Sequence, residues 1–212
     1  MARVSAIILA AGESRRMGVD KLLLPWEKKT ILMQCVDILL QSKAEEVIVV
    51  LGNRTQGLES KLGDRRVKVV VNPHYRRGMS TSIRKGIRAV DFSSQGILIA
   101  LGDMPFLSTR TVNALIRAFA QGKGEIIVPS FQGRQGHPVI FHRRFKRELL
   151  QLKGDVGGKS IIERHPGVVR LIYTKSAGVI KDIDTWKDFE ESKKGFKGSR
   201  VRGFKGSIPS AR

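Results

Sequence analysis

Six polar loops in this chain carry residue types that could do chemistry, and the first is the densest. From Leu9 the chain reads LAAGESRRMGVDK to Lys21. Small residues at Ala10, Ala11 and Gly12 let the backbone approach a ligand closely, and glycine tolerates the positive φ of a tight turn. Successive N–H groups there can cradle phosphates, while Arg16 and Lys21 neutralise their charge. The loop does not end in Gly-Lys-Ser/Thr and holds no Gly-x-Gly-x-x-Gly, so neither a Walker-type NTPase nor a dinucleotide dehydrogenase is indicated. A purely structural turn remains the alternative.

Two further loops offer carboxylates. Gly102-Asp103-Met104-Pro105 follows the apolar run Ile97–Leu101. An acid at the C-terminal edge of a strand suits Mg²⁺, which binds through one or two carboxylates plus substrate phosphates. The other reading is an aspartate in an ordinary turn. In Lys181-Asp182-Ile183-Asp184-Thr185, Asp184 could supply a second carboxylate and Thr185 a helix cap. Spacing alone does not bring positions this distant together.

The remaining loops suit a second substrate or the far end of the first. The segment from Asn72 to Ser82 puts hydroxyls and amides at a helix start, an anion or base site in one reading and N-capping by Ser80 in the other. Gln135-Gly136-His137-Pro138 sets His137 on a turn entering a strand, as a donor to an anion or as a structural residue. The run from Gly154 to Ser160 brings Gly157, Gly158 and Lys159 ahead of a helix. The four histidines are too scattered for a metal-ligand pattern, and no Gly-x-Ser-x-Gly elbow exists.

These loops need a frame, and the hydrophobic pattern supplies one. Strands are expected at Ser5–Leu9, Glu46–Leu51, Val67–Val71, Ile97–Leu101, Glu125–Pro129, Pro138–Phe141 and Val168–Tyr173, with helices near 30–42, 80–90, 108–120, 144–151, 159–165 and from Trp186. The alternation predicts an α/β fold, Rossmann-like, three αβα layers around a mostly parallel sheet. In such sheets ligands bind at the C-terminal strand edge, where the polar loops fall. Ser108 is the expected N-cap of the 108–120 helix and Gly122 its stop.

Composition bounds the rest. The 212 residues are 41% hydrophobic and 27% charged, which suits one folded domain, expected over residues 1–191. Residues 192–212 form a Gly/Ser/Lys/Arg tail with a repeated Gly-Phe-Lys-Gly-Ser, a composition expected to be disordered. The net charge of +20 is not only the tail's, because seven of 39 cations lie there and the remainder still stands at +13. Such a field favours anionic partners, phosphate esters and nucleic acid among them, with a generally basic surface as the other reading, while 6% aromatics and no recognisable nucleic-acid motif count against nucleic acid. A single cysteine, Cys35, permits no internal disulfide, and no secretory signal or membrane span is apparent, so a cytoplasmic location is expected.

In this order the motifs IILAAGESRRMGVDKLLLP, NPHYRRGMSTSI, LGDMPFL, GRQGHPVIF, GDVGGKSII and DIDTWKDFE resemble the MobA/MocA-like nucleotidyltransferases over residues 3–191. The resemblance implies the nucleotide-diphospho-sugar transferase type of fold. It also implies Mg²⁺-dependent transfer of a nucleotide to the phosphate of molybdopterin, with molybdoenzymes or their chaperones as recipients. Leu9, Ala10, Ala11, Gly12, Ser14, Gly78, Met79, Ser80, Ser82 and Gly102 would then bind nucleotide. Arg16 and Lys21 would hold its phosphates, with Asp103 as principal metal ligand and Asp184 as second, Asp182 being close enough to compete. His137, Gly157, Gly158 and Lys159 would face the acceptor. The guanylate-transferring branch typically shows Leu-Ala-Gly-Gly where this chain reads Leu9-Ala10-Ala11-Gly12, which favours CTP over GTP. Trp186 replaces a frequent proline, and the basic tail is foreign to the pattern; neither is expected to reach the chemistry. A sugar-phosphate acceptor and a non-catalytic cofactor-binding chaperone are the alternatives.

Overall fold

The computed structural model describes residues 2–52, 58–63 and 65–194, and the basic tail from residue 195 lies outside them. The strands are β1 (Val4–Ala10), β2 (Pro25–Trp26), β3 (Lys29–Thr30), β4 (Glu46–Leu51), β5 (Lys68–Val71), β6 (Gly96–Leu101), β7 (Ile126–Phe131), β8 (Arg134–Gln135), β9 (Val139–His142) and β10 (Val169–Tyr173). The helices are α1 (Ile31–Leu40), α2 (Leu58–Gly63), α3 (Met79–Ala89), α4 (Thr109–Ala120), α5 (Lys146–Gln151), α6 (Lys159–Arg164) and α7 (Trp186–Lys194). Each strand expected from the pattern is present within two residues at either end; β2, β3, β8 and α2 were not expected.

The main sheet runs β10-β7-β9-β6-β1-β4-β5, with β8 paired to β7. Its strands are parallel except β9, which is antiparallel to both β6 and β7, and β8, antiparallel to β7. Alternate residues of a strand point to opposite faces. On β1, Ala6 and Ile8 therefore join one core while Ile7 joins the other. The first core is closed by α1, α4 and α7, through Leu32, Val112 and Phe189 among others. The second is closed by α3, α5 and α6, through Ile83, Leu149 and Ile161. This is the expected three-layer arrangement. It explains why the central strands β4 and β6 are apolar without alternation.

Helix ends follow local chemistry. Ser108 Oγ accepts from the Thr111 N–H, and Gly122 stops α4 in the left-handed region at φ 67°. Ser80 is not the cap of α3: it lies inside the helix, which starts from Gly78 without a cap of its own. Among the described residues no helix is long and apolar enough to cross a membrane.

Candidate active site

The C-terminal ends of the parallel strands are laced together by backbone bonds. Gly102 N–H donates to the Leu9 carbonyl at 2.9 Å, and Ile183 N–H to the Asp103 carbonyl at 3.0 Å. Cys35, buried beneath, donates to the Gly102 carbonyl at 3.3 Å, and burial pushes its thiol pKa up, keeping it inert. These contacts fix three loops, from β1, β6 and the segment before α7, at one edge.

On that edge stands a chain of charges. Lys21 Nζ donates to Asp103 Oδ2 and to Asp184 Oδ1, each at 2.7 Å, and Arg16 donates to Asp184 Oδ2 at 2.7 Å. The four residues named from sequence for phosphate and metal thus meet, although Asp103 and Asp184 lie on separate loops. Asp182 joins them: Asp103, Asp182 and Asp184 each offer an oxygen within 4.8 Å of the others. Desolvation raises the Asp182 pKa, and its two carboxylate neighbours raise it further. Asp184 is held low, chiefly by its hydrogen bond from Lys21. Asp103 Oδ1 is buried with no hydrogen-bond partner. A buried carboxylate oxygen left unpaired is costly. The three acids and this orphaned oxygen therefore fit a hard divalent cation, with Asp103 the most enclosed ligand.

Two residues to which the sequence reading gave no part in the site, Asp188 and Trp186, brace this centre. Asp188 Oδ2 accepts from the Asp184 and Thr185 N–H groups, at 3.1 and 2.8 Å, while Thr185 Oγ1 accepts from Asp188 N–H. This capping box shapes the turn that aims Asp184, and its signature Thr-x-x-Asp was legible before a helix. Trp186, noted from sequence only as a departure not expected to reach the chemistry, donates its indole N–H to the Met17 carbonyl at 3.1 Å and ties α7 to the first loop.

A cavity of about 250 Å³ opens beside the charges, lined by Ala10, Ala11, Gly12, Ser14, Gly52 and Tyr75, among others. Leu9 and Gly102 are not part of its wall and are joined to each other by the backbone bond between their strand ends. Ser14 takes a positive φ of 50° and accepts the Lys21 N–H on its hydroxyl, so it shapes the loop that delivers Lys21. Glu13 accepts from Arg15 and, at 2.9 Å, from Arg76, which links the Tyr75 wall to the first loop.

Gly78, Met79, Ser80 and Ser82 are not part of that cavity's wall. The start of α3 is met by the 154–158 loop: Asp155 accepts the Met79 N–H at 3.0 Å and the Gly154 carbonyl accepts that of Ser80. Gly78 is required there, since φ is 103° and a Cβ would stand 2.5 Å from the Gly154 backbone. Ser82 is taken up by Asn72, whereas Ser80 Oγ is buried and unpaired. The helix start expected to greet an anion thus holds a protein carboxylate.

The residues expected to face an acceptor gather elsewhere. His137, Gly158 and Lys159 line one cavity of about 760 Å³, floored by Ile99, Val128, Phe141 and Leu171 of the sheet. Gly157 lies outside the wall, near Met79. Burial lowers the His137 pKa, and Asp103 opposes this, so the imidazole stands within electrostatic reach of the carboxylate centre.

Comparison with known proteins follows the same outline. A family model described as MobA-like NTP transferase domain matches residues 6–168. The molybdenum cofactor cytidylyltransferase of Escherichia coli is 29% identical over 91% of this chain and 97% of its own. The nicotine blue oxidoreductase of Paenarthrobacter nicotinovorans is also 29% identical, over 86% and 92%. Among solved structures, the manganese complex of Rv0371c from Mycobacterium tuberculosis superposes with a TM-score of 0.78 at 27% identity, covering 90% of this chain and 97% of that one. The layered sheet is that of the nucleotide-diphospho-sugar transferase fold.

Proposed function

The chain belongs to the MobA-like NTP transferase family of nucleotidyltransferases, and from that premise we propose that it transfers CMP from CTP to the terminal phosphate of molybdopterin, releasing pyrophosphate. The observation that carries this reading is the meeting of Lys21, Arg16, Asp103 and Asp184 beside the small-residue loop. That set is the equipment of phosphoryl-type transfer, in which alignment and charge neutralisation dominate. It offers nothing to hydride chemistry, which weighs against carrying over the oxidoreductase name of one relative.

In this reading the first loop seats base and triphosphate, and Arg16 and Lys21 take the charge of the phosphate oxygens. Asp103 and Asp184 would hold Mg²⁺, which when bound supplies a counter-charge for the reacting phosphates. The acceptor phosphate is already anionic near neutral pH, so no side chain need act as base. His137 and Lys159 orient the acceptor from the larger cavity, whose apolar floor suits a flat ring system. The enzyme would work in the cytoplasm.

CTP is favoured over GTP because Ala11, in the wall of the smaller cavity, stands where the guanylate-transferring branch has glycine, and its extra methyl group disfavours the larger purine. Incubation with molybdopterin, Mg²⁺ and each NTP, followed by mass measurement of the product, tests the whole reading. A cytidine dinucleotide is expected. A guanine product would replace the nucleotide, a sugar-phosphate product the acceptor, and binding without turnover would leave a cofactor chaperone.

A further inference from the structure

Among the described residues that line the smaller cavity, a single aromatic ring is present, and it belongs to Tyr75. Apart from Val19 and Leu58, the rest of that wall is small or polar, with Ala10, Ala11 and Gly12 at its centre. No step of the chemistry proposed above uses the ring.

Its position is nevertheless fixed from several sides. Asn72 is buried, accepts the His74 N–H at 3.0 Å, and donates from its amide to Thr81 and Ser82 of α3. The turn that follows is closed by the Gly78 N–H, which donates to the Tyr75 carbonyl at 3.2 Å. Gly52, which follows β4, lies against the ring, and a Cβ there would stand 3.1 Å from it. Glycine at that position lets backbone and ring approach closely. Arg76 sets its guanidinium 5.7 Å from the ring centroid and is itself held by Glu13 of the first loop.

A ring held in this way suits contact with another ring. Phosphates are met by charge and by N–H groups, which the first loop, Arg16 and Lys21 offer. A nucleobase presents a planar face that these groups do not recognise. Aromatic side chains recognise it, and they do so for every base, because every base has such a face.

We propose that Tyr75 is the base-binding residue of the nucleotide seat, packing its ring against the heterocycle whichever nucleotide is bound. The proposal rests on the reading that the smaller cavity seats the nucleotide. It divides the work in that cavity. Tyr75 supplies affinity for the base, Ala11 the choice between cytosine and guanine, and the cations the hold on the phosphates.

The chain has two tyrosines, and the other, Tyr173, is 79% exposed at the end of the edge strand β10. Ring-labelled tyrosine therefore gives a magnetic-resonance probe with its own control. In the full chain saturated with CTP and Mg²⁺, magnetisation should pass between the Tyr75 ring and the cytosine ring protons, and none should reach Tyr173. Calorimetry supplies the energetic half. Tyr75→Leu, checked by a melting curve, should weaken CTP and GTP alike by about tenfold. Tyr75→Phe should keep both affinities, and inorganic triphosphate should bind each chain equally. The resonance experiment needs no variant, so it carries the test where Tyr75→Leu does not fold. Silence between the Tyr75 ring and a bound base would overturn the proposal alone. So would an unchanged CTP affinity in Tyr75→Leu, or a loss that triphosphate shares. If the unchanged chain binds CTP no more tightly than triphosphate, the reading of the cavity as the nucleotide seat falls as well.

Discussion

The two cavities of this molecule are built in opposite ways. Around Lys21, two cations are paired with Asp103 and Asp184, and the surrounding loops are pinned to strand ends by backbone bonds. Around His137 the wall is sheet face, with apolar side chains below and a few polar groups at the rim. The first arrangement is rigid and electrostatic, as a reacting centre requires; the second offers shape and area, as recognition of a larger molecule requires. The loop that borders the larger cavity docks through Asp155 and Gly154 on the start of α3, outside the wall of the smaller cavity. Chemistry and recognition are therefore separable by mutation.

The sharpest way to break that division is Asp103→Asn. Pyrophosphate release should fall by about a thousandfold or more while the melting temperature changes little. Asp184→Asn should cost more activity than Asp182→Asn, because Asp184 is the acid that Lys21 and Arg16 hold in place. Equal losses would make Asp182 the second ligand. Next in size, Arg16→Ala should raise the KM for nucleotide by about tenfold and leave that for acceptor unchanged. The mirror experiment is Lys159→Ala, which should raise the acceptor KM by a few-fold, roughly the worth of one exposed charge contact, and spare the nucleotide KM. A shift in both constants in either variant would mean that the cavities are not independent.

The smallest effect concerns stability. Burial holds the His137 pKa below the ordinary 6.5 despite the pull of Asp103. The unfolded chain then takes up a proton at a higher pH than the folded one. Stability is unaffected well above that value, and declines as pH falls through 6.5 towards the lower folded pKa. His137→Gln should flatten the decline in a series of melting temperatures; an unchanged slope would show that His137 is no more burdened by protonation in the fold than outside it.

Much of the frame was legible because apolar runs such as Val47–Leu51 leave little choice but a strand covered on both faces. Asp103 could be found by its place after such a run. What pattern alone does not encode is convergence. Nothing in the spacing says that Lys21 reaches both Asp103 and Asp184, or that Asp155 occupies the helix start that was expected to meet an anion. Short elements held by tertiary contacts rather than periodicity escaped as well, β8 and α2 among them. The bond from Trp186 to the first loop escaped too, because a departure from a pattern shows only that a residue differs, not what its indole can reach across the fold.

The central claim is nucleotidyl transfer at the Asp103 centre, and radiolabel position tests it most directly. With CTP labelled at the α-phosphate, the label should appear in the molybdopterin product; with CTP labelled at the γ-phosphate, it should appear only in pyrophosphate. Both transfers should be lost in Asp103→Asn. A γ-label in the acceptor, or transfer that persists without Asp103, would contradict the account.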